Sequence, residues 1–356
     1  MRTLILAAGR FGEAMRTAIA TGREPRLDIF ELAQALAADV GDYLSVDEAT
    51  DAVGAVRKAL GLSAALAYWG FSRRSDYDAI LTSGEDIGIP LGMFLKAGGG
   101  ACAHAMIAHT LVPLKKRLFF KPFGVGARMD HILVYSTSEE RHAIDRLGIP
   151  DAKVSRIFFH ADQHFFRPGS GAVDPRLVCA AGQLLRDYHC LVDAVRGVDV
   201  TVQIAAGSPW IDHALRPEGP LPPNVTWGKL GRYELRELYA RSALAVVPIK
   251  ENPYQTGIAT ILEMMSMGKC VIATRTKGQT DTIVDGETGV YVPPGDPVAL
   301  RETIERLLAD PLDAARIGRN ARRFIEERAS LDHFVDRVHE SVRAAHRART
   351  GTHPAR

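Results

Sequence analysis

The chain has 356 residues, 46% of them hydrophobic and 24% charged, the composition of an ordinary globule with material for two domains. Its formal charge is +2, from 44 Lys and Arg against 42 Asp and Glu, so bulk electrostatics gives no footing for nucleic acid. The opening apolar run LILAA is too short for a signal peptide, no stretch reaches membrane-spanning length, and the four cysteines stand without a CxxC pair, as expected of reduced core residues in a cytoplasmic protein.

Strand-like and helix-like segments alternate along the chain, which predicts an α/β protein with mostly parallel sheets. The first strands are expected at TLILAA, DAILTS (Asp78 to Ser83), within ACAHAMIAH (Ala101 to His109), at HILVYST (His131 to Thr137) and at VSRIFF (Val154 to Phe159). Helical patterns such as IFELAQALA and EERHAIDRLG lie between them. The turn after the first strand, AAGRFGEA, has Ala7, Gly9 and Gly12 at the spacing of a dinucleotide fingerprint that lacks its first glycine. This marks Gly9 and Gly12 as a ligand-facing turn only loosely, and Asp28, at the distance of a ribose-binding acid, also suits a helix N-terminus.

Four further features of this half have competing readings. Asp76-Tyr77-Asp78 has the DxD form of a metal-diphosphate motif but precedes its strand, and His160 and His164 lack a third ligand, so no metal site is expected. His109 ends a strand, where a histidine serves either structure or a site. The run LKKRLFFKPF, Leu114 to Phe123, interleaves cations with aromatics; it suits a snorkelling, half-buried helix or a peripheral contact with an anionic membrane surface.

FFRPGSGAVDPR, Phe165 to Arg176, is rich in Pro, Gly and Ser and lacks periodicity, as a linker would. It divides the chain into an N-terminal domain of residues 1–168 and a C-terminal domain of residues 169–345, followed by a basic tail, 346–356. The second series of strands runs through LVCAAG, VTVQIAAG, NVTWGKL, ALAVVP, CVIAT and GVYVPP.

Within it, YQTGIATILEMMSMG, Tyr254 to Gly268, carries one acid in an apolar helix. Ile258, Ile261, Leu262 and Met265 follow i, i+3, i+4, i+7 spacing and should face the sheet, which puts Glu263 off that stripe, leaning over Ala259 toward the turn. From there a carboxylate can accept hydrogen bonds from a diol while the turn amides of Thr256, Gly257 and Ile258 receive a phosphate. The other reading of Glu263 is a solvent-facing acid.

The segment QTGIATILEMMSMGKCVIATRTKGQTDTIVDGETGVYVPPGDPVAL, Gln255 to Leu300, resembles the C-terminal half of the retaining GT-B-fold glycosyltransferases of family four (glycosyl transferases group 1). Upstream, NVTWGKLGRYELRELYARSALAVVP is similar to the family's stretch around the nucleobase, and AAGQLLRDY stands in the place of its phosphate-binding glycine loop. His109, the STS of Ser136 to Ser138 and HADQHFFRP fit the family's order of landmarks.

The resemblance implies two facing Rossmann-like domains with a cleft between them, and transfer of a sugar from a nucleoside diphosphate sugar to an acceptor hydroxyl, with retention, without metal and without a cofactor besides the donor. It implies that Glu263 binds the ribose, Gly228 and Lys229 lie beside the base, and His109 stands near the reacting carbon. The family's first acid is replaced by Gln255, eight positions before Glu263, and its Gly-Arg pair and lysine by Gly182-Gln183 and Tyr188. Arg186 is then the cation expected to meet the leaving diphosphate, with Lys250 as the second choice. The alternatives are a nucleotide-sugar-binding protein without transferase activity, or a phosphorylase or epimerase on the same scaffold.

Overall fold

The computed structural model describes residues 1–206, 216–279 and 281–351. The chain divides into two compact units, one of Met1–Thr17, Arg26–Ile157 and Phe334 onward, the other of Ala18–Pro25 and Phe158–His333.

The first unit is built on β1 (Thr3–Leu6), β2 (Asp39–Gly41), β3 (Ala79–Thr82), β4 (Ala103–Ala108), β5 (His131–Val134) and β6 (Val154–Arg156), in the order β2-β1-β3-β4-β5-β6 with every pair parallel. β1, β3, β4 and β5 are buried at every position, which is why they read as unbroken apolar runs instead of alternating ones. Asp78, which ends the DxD triplet, takes the amide of Arg2 at 2.7 Å just before β3, so the triplet's second acid fastens the start of a strand. Asp28 lies in the first turn of the helix Asp28–Leu36.

The second unit contains β7 (Asp174–Ala181), β8 (Thr201–Ala205), β9 (Val225–Gly228), β10 (Ser242–Val247), β11 (Cys270–Thr274) and β12 (Val290–Val292), again all parallel, in the order β12-β11-β10-β7-β8-β9. The two units are Rossmann-like. After β7 the chain builds outward through β8 and β9, then returns to lay β10 on the other side of β7, so the order reverses between β7 and β10. In an open parallel sheet the crevice beyond the carboxyl ends of such a pair is where ligands bind. One core packs Tyr188, Leu191 and Ile304 on one face of this sheet; the other packs Phe166, Tyr239 and Met265 on the opposite face. Cys102, Cys179 and Cys270 are buried, and all four cysteines are free thiols.

The division falls at Phe158 instead of near Pro168. The aromatic residues ahead of the expected linker belong to the second core: Phe165 and Phe166 are buried, and the Phe166 carbonyl accepts the Ser266 hydroxyl at 2.6 Å and Arg322 at 3.0 Å. Pro, Gly and Ser signalled irregular backbone, and the anchoring lay in the aromatic side chains beside them. The expected basic tail is also corrected. The helix Leu331–Thr350 runs into it as far as Thr350, Ala345 just ahead of it is fully buried, and Arg349 pairs at 2.7 Å with buried Asp130 of the first unit; residues 352–356 lie outside the described residues. The sequence reading missed this because the last apolar positions are alanines and the anchoring group is a cation. Asp130 also accepts the backbone amide of buried His104 at 2.9 Å, so it serves β4 and the terminal helix together.

Removing Arg349 leaves a buried carboxylate short of its cation. Arg349→Ala is expected to lower stability by about 2 kcal/mol, measured as a shift in the urea midpoint without loss of transition slope.

Candidate functional site

The carboxyl ends of β7 and β10 carry two loops that are laced together. After β7, Gly182 turns at φ +103° and Leu185 sits at φ +54°, and between β10 and the next helix Gly257 turns at φ +79°. The Asp187 amide donates to the Pro248 carbonyl at 3.0 Å and the Lys250 amide to the Leu185 carbonyl at 2.9 Å. Between the loops lies the guanidinium of Arg186, 3% exposed. Its Nε donates to the Ala181 carbonyl at 3.0 Å, Nη1 to the Leu184 carbonyl at 2.9 Å and Nη2 to the Thr260 hydroxyl at 3.1 Å. No carboxylate bonds it among the described residues, and burial pulls its pKa below the ordinary arginine value. A side chain at Gly182 would collide with this guanidinium, and one at Gly257 would come within 3.1 Å of it, so both glycines are required by space as well as by φ.

The helix Ile258–Ser266 starts from Gly257. The amides of Gly257 and Ile258 make no hydrogen bond among the described residues and are open to an anion. The Thr256 amide is not: it donates to the Tyr254 carbonyl at 2.9 Å, which corrects its expected place among the phosphate-binding amides. The reason is Asn252, a residue the sequence reading passed over. Asn252 is buried and donates to the Lys250 carbonyl at 2.7 Å and to the Thr256 hydroxyl at 3.0 Å, while its own oxygen accepts the Tyr254 amide at 2.9 Å. That network folds the loop so that Thr256 is spent on backbone geometry. Lys250 is exposed, and its ammonium has no partner among the described residues.

Glu263 neither faces solvent nor stands alone. Its side chain is 11% exposed, and Oε1 accepts Nη1 of Arg232 at 2.9 Å. Burial pushes this carboxyl above the usual carboxylate range; Arg232, and more distantly Arg186, pull it part of the way back. Arg232 is the first residue of the helix Arg232–Arg241, and Glu24 lies close enough for its charge to act on both Arg232 and Glu263. Sequence reading missed Arg232 because the pair spans 31 positions. Arg232 bonds only Oε1, which leaves Oε2 for another donor.

Gln255 is partly buried, and its Nε2 stands 3.4 Å from the Thr282 hydroxyl. Beside it Gln279, 4% exposed, donates to the Thr256 carbonyl at 2.5 Å, and its own Oε1 is buried without a partner. Gly228 and Lys229 are exposed at the carboxyl end of the edge strand β9, separated from β7 by β8. Arg186, Lys250, Gly182, Gln255, Gly257, Ile258 and Glu263 therefore gather at the reversal, with Gly228 and Lys229 further along the same edge.

The other predicted residues belong to the first unit, whose strand order reverses between β1 and β3. Gly9 accepts the Tyr43 amide at 2.9 Å, and a Cβ on it would press into the Phe11 ring at 2.6 Å. Gly12 precedes the helix Glu13–Ala20, whose first residue is an acid, so a carboxylate stands where a dinucleotide fingerprint would seat a phosphate. His109, at the end of β4, is exposed and stacks on Tyr135 at 5.5 Å. Its Nε2 is 3.0 Å from the Ser83 carbonyl, which can only accept, so this nitrogen carries the proton and Nδ1 of the neutral ring keeps a lone pair. Two buried carboxylates clamp the loop that follows. Glu85 accepts the His109 amide at 2.8 Å and Lys116 at 2.5 Å; Glu139 accepts the Thr110 hydroxyl and the Leu111 amide, each at 2.7 Å. Burial pushes Glu85 upward, but Lys116 and the surrounding amides outweigh it and hold its pKa below the usual value.

Residues 176–310, which contain this reversal, match the family described as glycosyl transferases group 1. Across 97% of the chain the fold superposes on all of the Anabaena HepE protein, solved in complex with UDP, at a TM-score of 0.72 and 16% identity. A sucrose-phosphate synthase from Thermosynechococcus elongatus covers 96% of the chain and matches over 98% of its own, at a TM-score of 0.71 and 18% identity. The chain has the GT-B fold. Among curated relatives, the D-rhamnosyltransferase WbpZ of Pseudomonas aeruginosa is 33% identical over 188 residues, 51% of this chain and 46% of its own length. The D-inositol 3-phosphate glycosyltransferase of Acidothermus cellulolyticus is 24% identical over 263 residues, 61% of this chain and 54% of its own. The chain thus spans about half the length of these two relatives. The GT-B assignment bears out the fold class expected from the sequence, and the matched segment contains every site residue expected in the second unit.

The Arg232–Glu263 pair yields a prediction with a definite sign. A carboxylate whose folded pKa lies above its unfolded value contributes stability that is present below the unfolded pKa and lost as pH rises through the folded one. Arg232→Met removes a cation that opposes that rise. It should deepen the loss of stability on going from acid to neutral pH by about 1 kcal/mol, small because Arg232 is half-exposed, whereas Arg232→Lys should keep most of the parent profile. Thermal unfolding followed over this pH range reads the difference.

Proposed function

We propose that the protein is a glycosyltransferase that moves a sugar from a nucleoside diphosphate sugar to an acceptor hydroxyl with retention of anomeric configuration and without a metal ion. The observation that carries the reading is the arrangement at the reversal between β7 and β10. A buried guanidinium, two free turn amides and a paired carboxylate lie together inside the segment that matches the glycosyl transferases group 1 family.

On this reading the amides of Gly257 and Ile258 receive the diphosphate, with Lys250 as the mobile cation that follows charge onto the leaving group. Arg186 adds a fixed positive charge, but its three protein contacts tie it to the loops, so it acts through the field and not by reaching out. Glu263 offers Oε2 to the ribose diol while Arg232 holds Oε1. Gly228 and Lys229 border the base. Gln255 brings an amide to the sugar side, where it donates and accepts without adding charge. By the resemblance His109 is the first unit's candidate for a part in the transfer, in which the acceptor hydroxyl bonds the anomeric carbon as the bond to the diphosphate breaks and its proton passes to the departing phosphate oxygen. Gly9 and Gly12 shape a turn on the acceptor side. The UDP held by the Anabaena HepE structure makes uridine diphosphate sugars the first donors to try.

Thermal shift against a panel of nucleoside diphosphates and their sugars should raise the melting temperature for at least one of them. For that ligand, Glu263→Ala should weaken affinity about tenfold to a hundredfold by calorimetry. Transfer should survive a chelator, with product NMR showing the donor's anomeric configuration. Unchanged affinity in Glu263→Ala would overturn the ribose assignment. Donor binding with no transfer or hydrolysis across an acceptor panel would favour a binding protein instead.

A further inference from the structure

The helix Leu114–Phe120, just beyond the His109 loop, presents a face that nothing in the first unit covers. It is held from one side only: Lys116 is buried in its pair with Glu85, and Phe120, one turn on, is 5% exposed. At about 100° per residue, the direction opposite those two falls on Leu114 and Leu118. These leucines are 75% and 57% exposed. Lys115 flanks them on one side and Arg117 and Lys121 on the other, all three exposed. Phe119 and Phe123 extend the patch, 38% and 51% exposed with ring centroids 6.1 Å apart, and Lys96 donates to the Phe123 carbonyl. No Asp or Glu occurs from Thr110 to Met129, and the one buried lysine is already paired with Glu85.

We propose that this face docks on an anionic phospholipid surface, with Leu114, Leu118, Phe119 and Phe123 entering the headgroup region and Lys115, Arg117 and Lys121 meeting lipid phosphates. Apolar side chains ringed by cations, with no acid among them, match the chemistry of such an interface: the leucines and rings gain from leaving water while the long basic stems keep their charges at the headgroups. The contact proposed is with the surface alone; no helix among the described residues is long and apolar enough to cross a membrane. The face is also fixed in advance. Glu85 bonds Lys116 with one oxygen and the His109 amide with the other, so the helix docks without first being ordered, and the surface it binds is tied to the His109 loop through one carboxylate.

The test needs no nucleotide, so its result stands apart from the glycosyltransferase reading. The parent protein should sediment with phosphatidylcholine vesicles that contain phosphatidylglycerol and stay in solution with phosphatidylcholine alone, and added salt should weaken the binding. Replacing Lys115, Arg117 and Lys121 together by Gln should lower partitioning roughly a hundredfold, at about fivefold per cation; Leu114→Ser with Leu118→Ser should lower it at least about tenfold. All these positions are exposed, so melting temperatures should equal the parent's. As a second measurement on folded protein, Phe123→Trp should shift its emission to the blue and be quenched by brominated lipid. A parent that stays in the supernatant with anionic vesicles, or leucine variants that sediment like the parent, would overturn the proposal. So would binding to polyglutamate as strong as to vesicles and indifferent to the leucines, which would assign the face to an acidic protein.

Discussion

The second unit is organised around one buried cation. Arg186 lies where two loops from neighbouring strands meet, and it is solvated by two backbone carbonyls and a hydroxyl in place of water. A guanidinium suits the place because its donors are fixed in a plane and can bond three directions at once. Its bulk in turn dictates glycine at 182 and 257, and glycine at 257 opens the helix that presents the two unpaired amides and, further along, Glu263. The positive potential of the reversal is therefore built into the fold before any ligand arrives.

The first unit uses the opposite sign for the same purpose. There, buried carboxylates hold loop backbones: Glu85 and Glu139 fasten His109 to Leu111, and Asp130 fastens the start of β4. Glu85 and Asp130 each take a main-chain amide, with Lys116 or Arg349 supplying the balancing charge, and Glu139 takes one amide and one hydroxyl. Such groups are costly to bury singly and tolerable as satisfied networks. They leave the His109 ring as the part of its loop that projects from a fixed base.

The fold was legible because parallel strands covered on both faces become apolar runs, and every expected strand is present. β2 escaped notice because Asp39–Gly41 is a partly exposed three-residue edge with no such run. In the site, glycines and the lone acid of the helix Ile258–Ser266 were visible, since turn chemistry and helical spacing are local. What held them in place was not. Arg232 meets Glu263 from another helix, Asn252 works through hydrogen bonds that leave no periodic trace, and Glu85 is an ordinary first-turn acid until β4 brings His109 to it. The domain edge and the terminal helix were misread for the same reason: composition reports propensity, whereas aromatic anchors and a distant carboxylate decide which core a segment joins.

The return of the helix Leu331–Thr350 to the first unit bears on how the protein is made. Synthesis runs from N- to C-terminus, so all six strands of the first sheet leave the ribosome before the main stretch of the second unit, Phe158–His333, yet Asp130 meets Arg349 only after that stretch has been translated in full. Until then Asp130 lacks its Arg349 partner, while the second unit, whose segments are all present by His333, can already close. Completion of the earlier domain thus waits on translation of the later one.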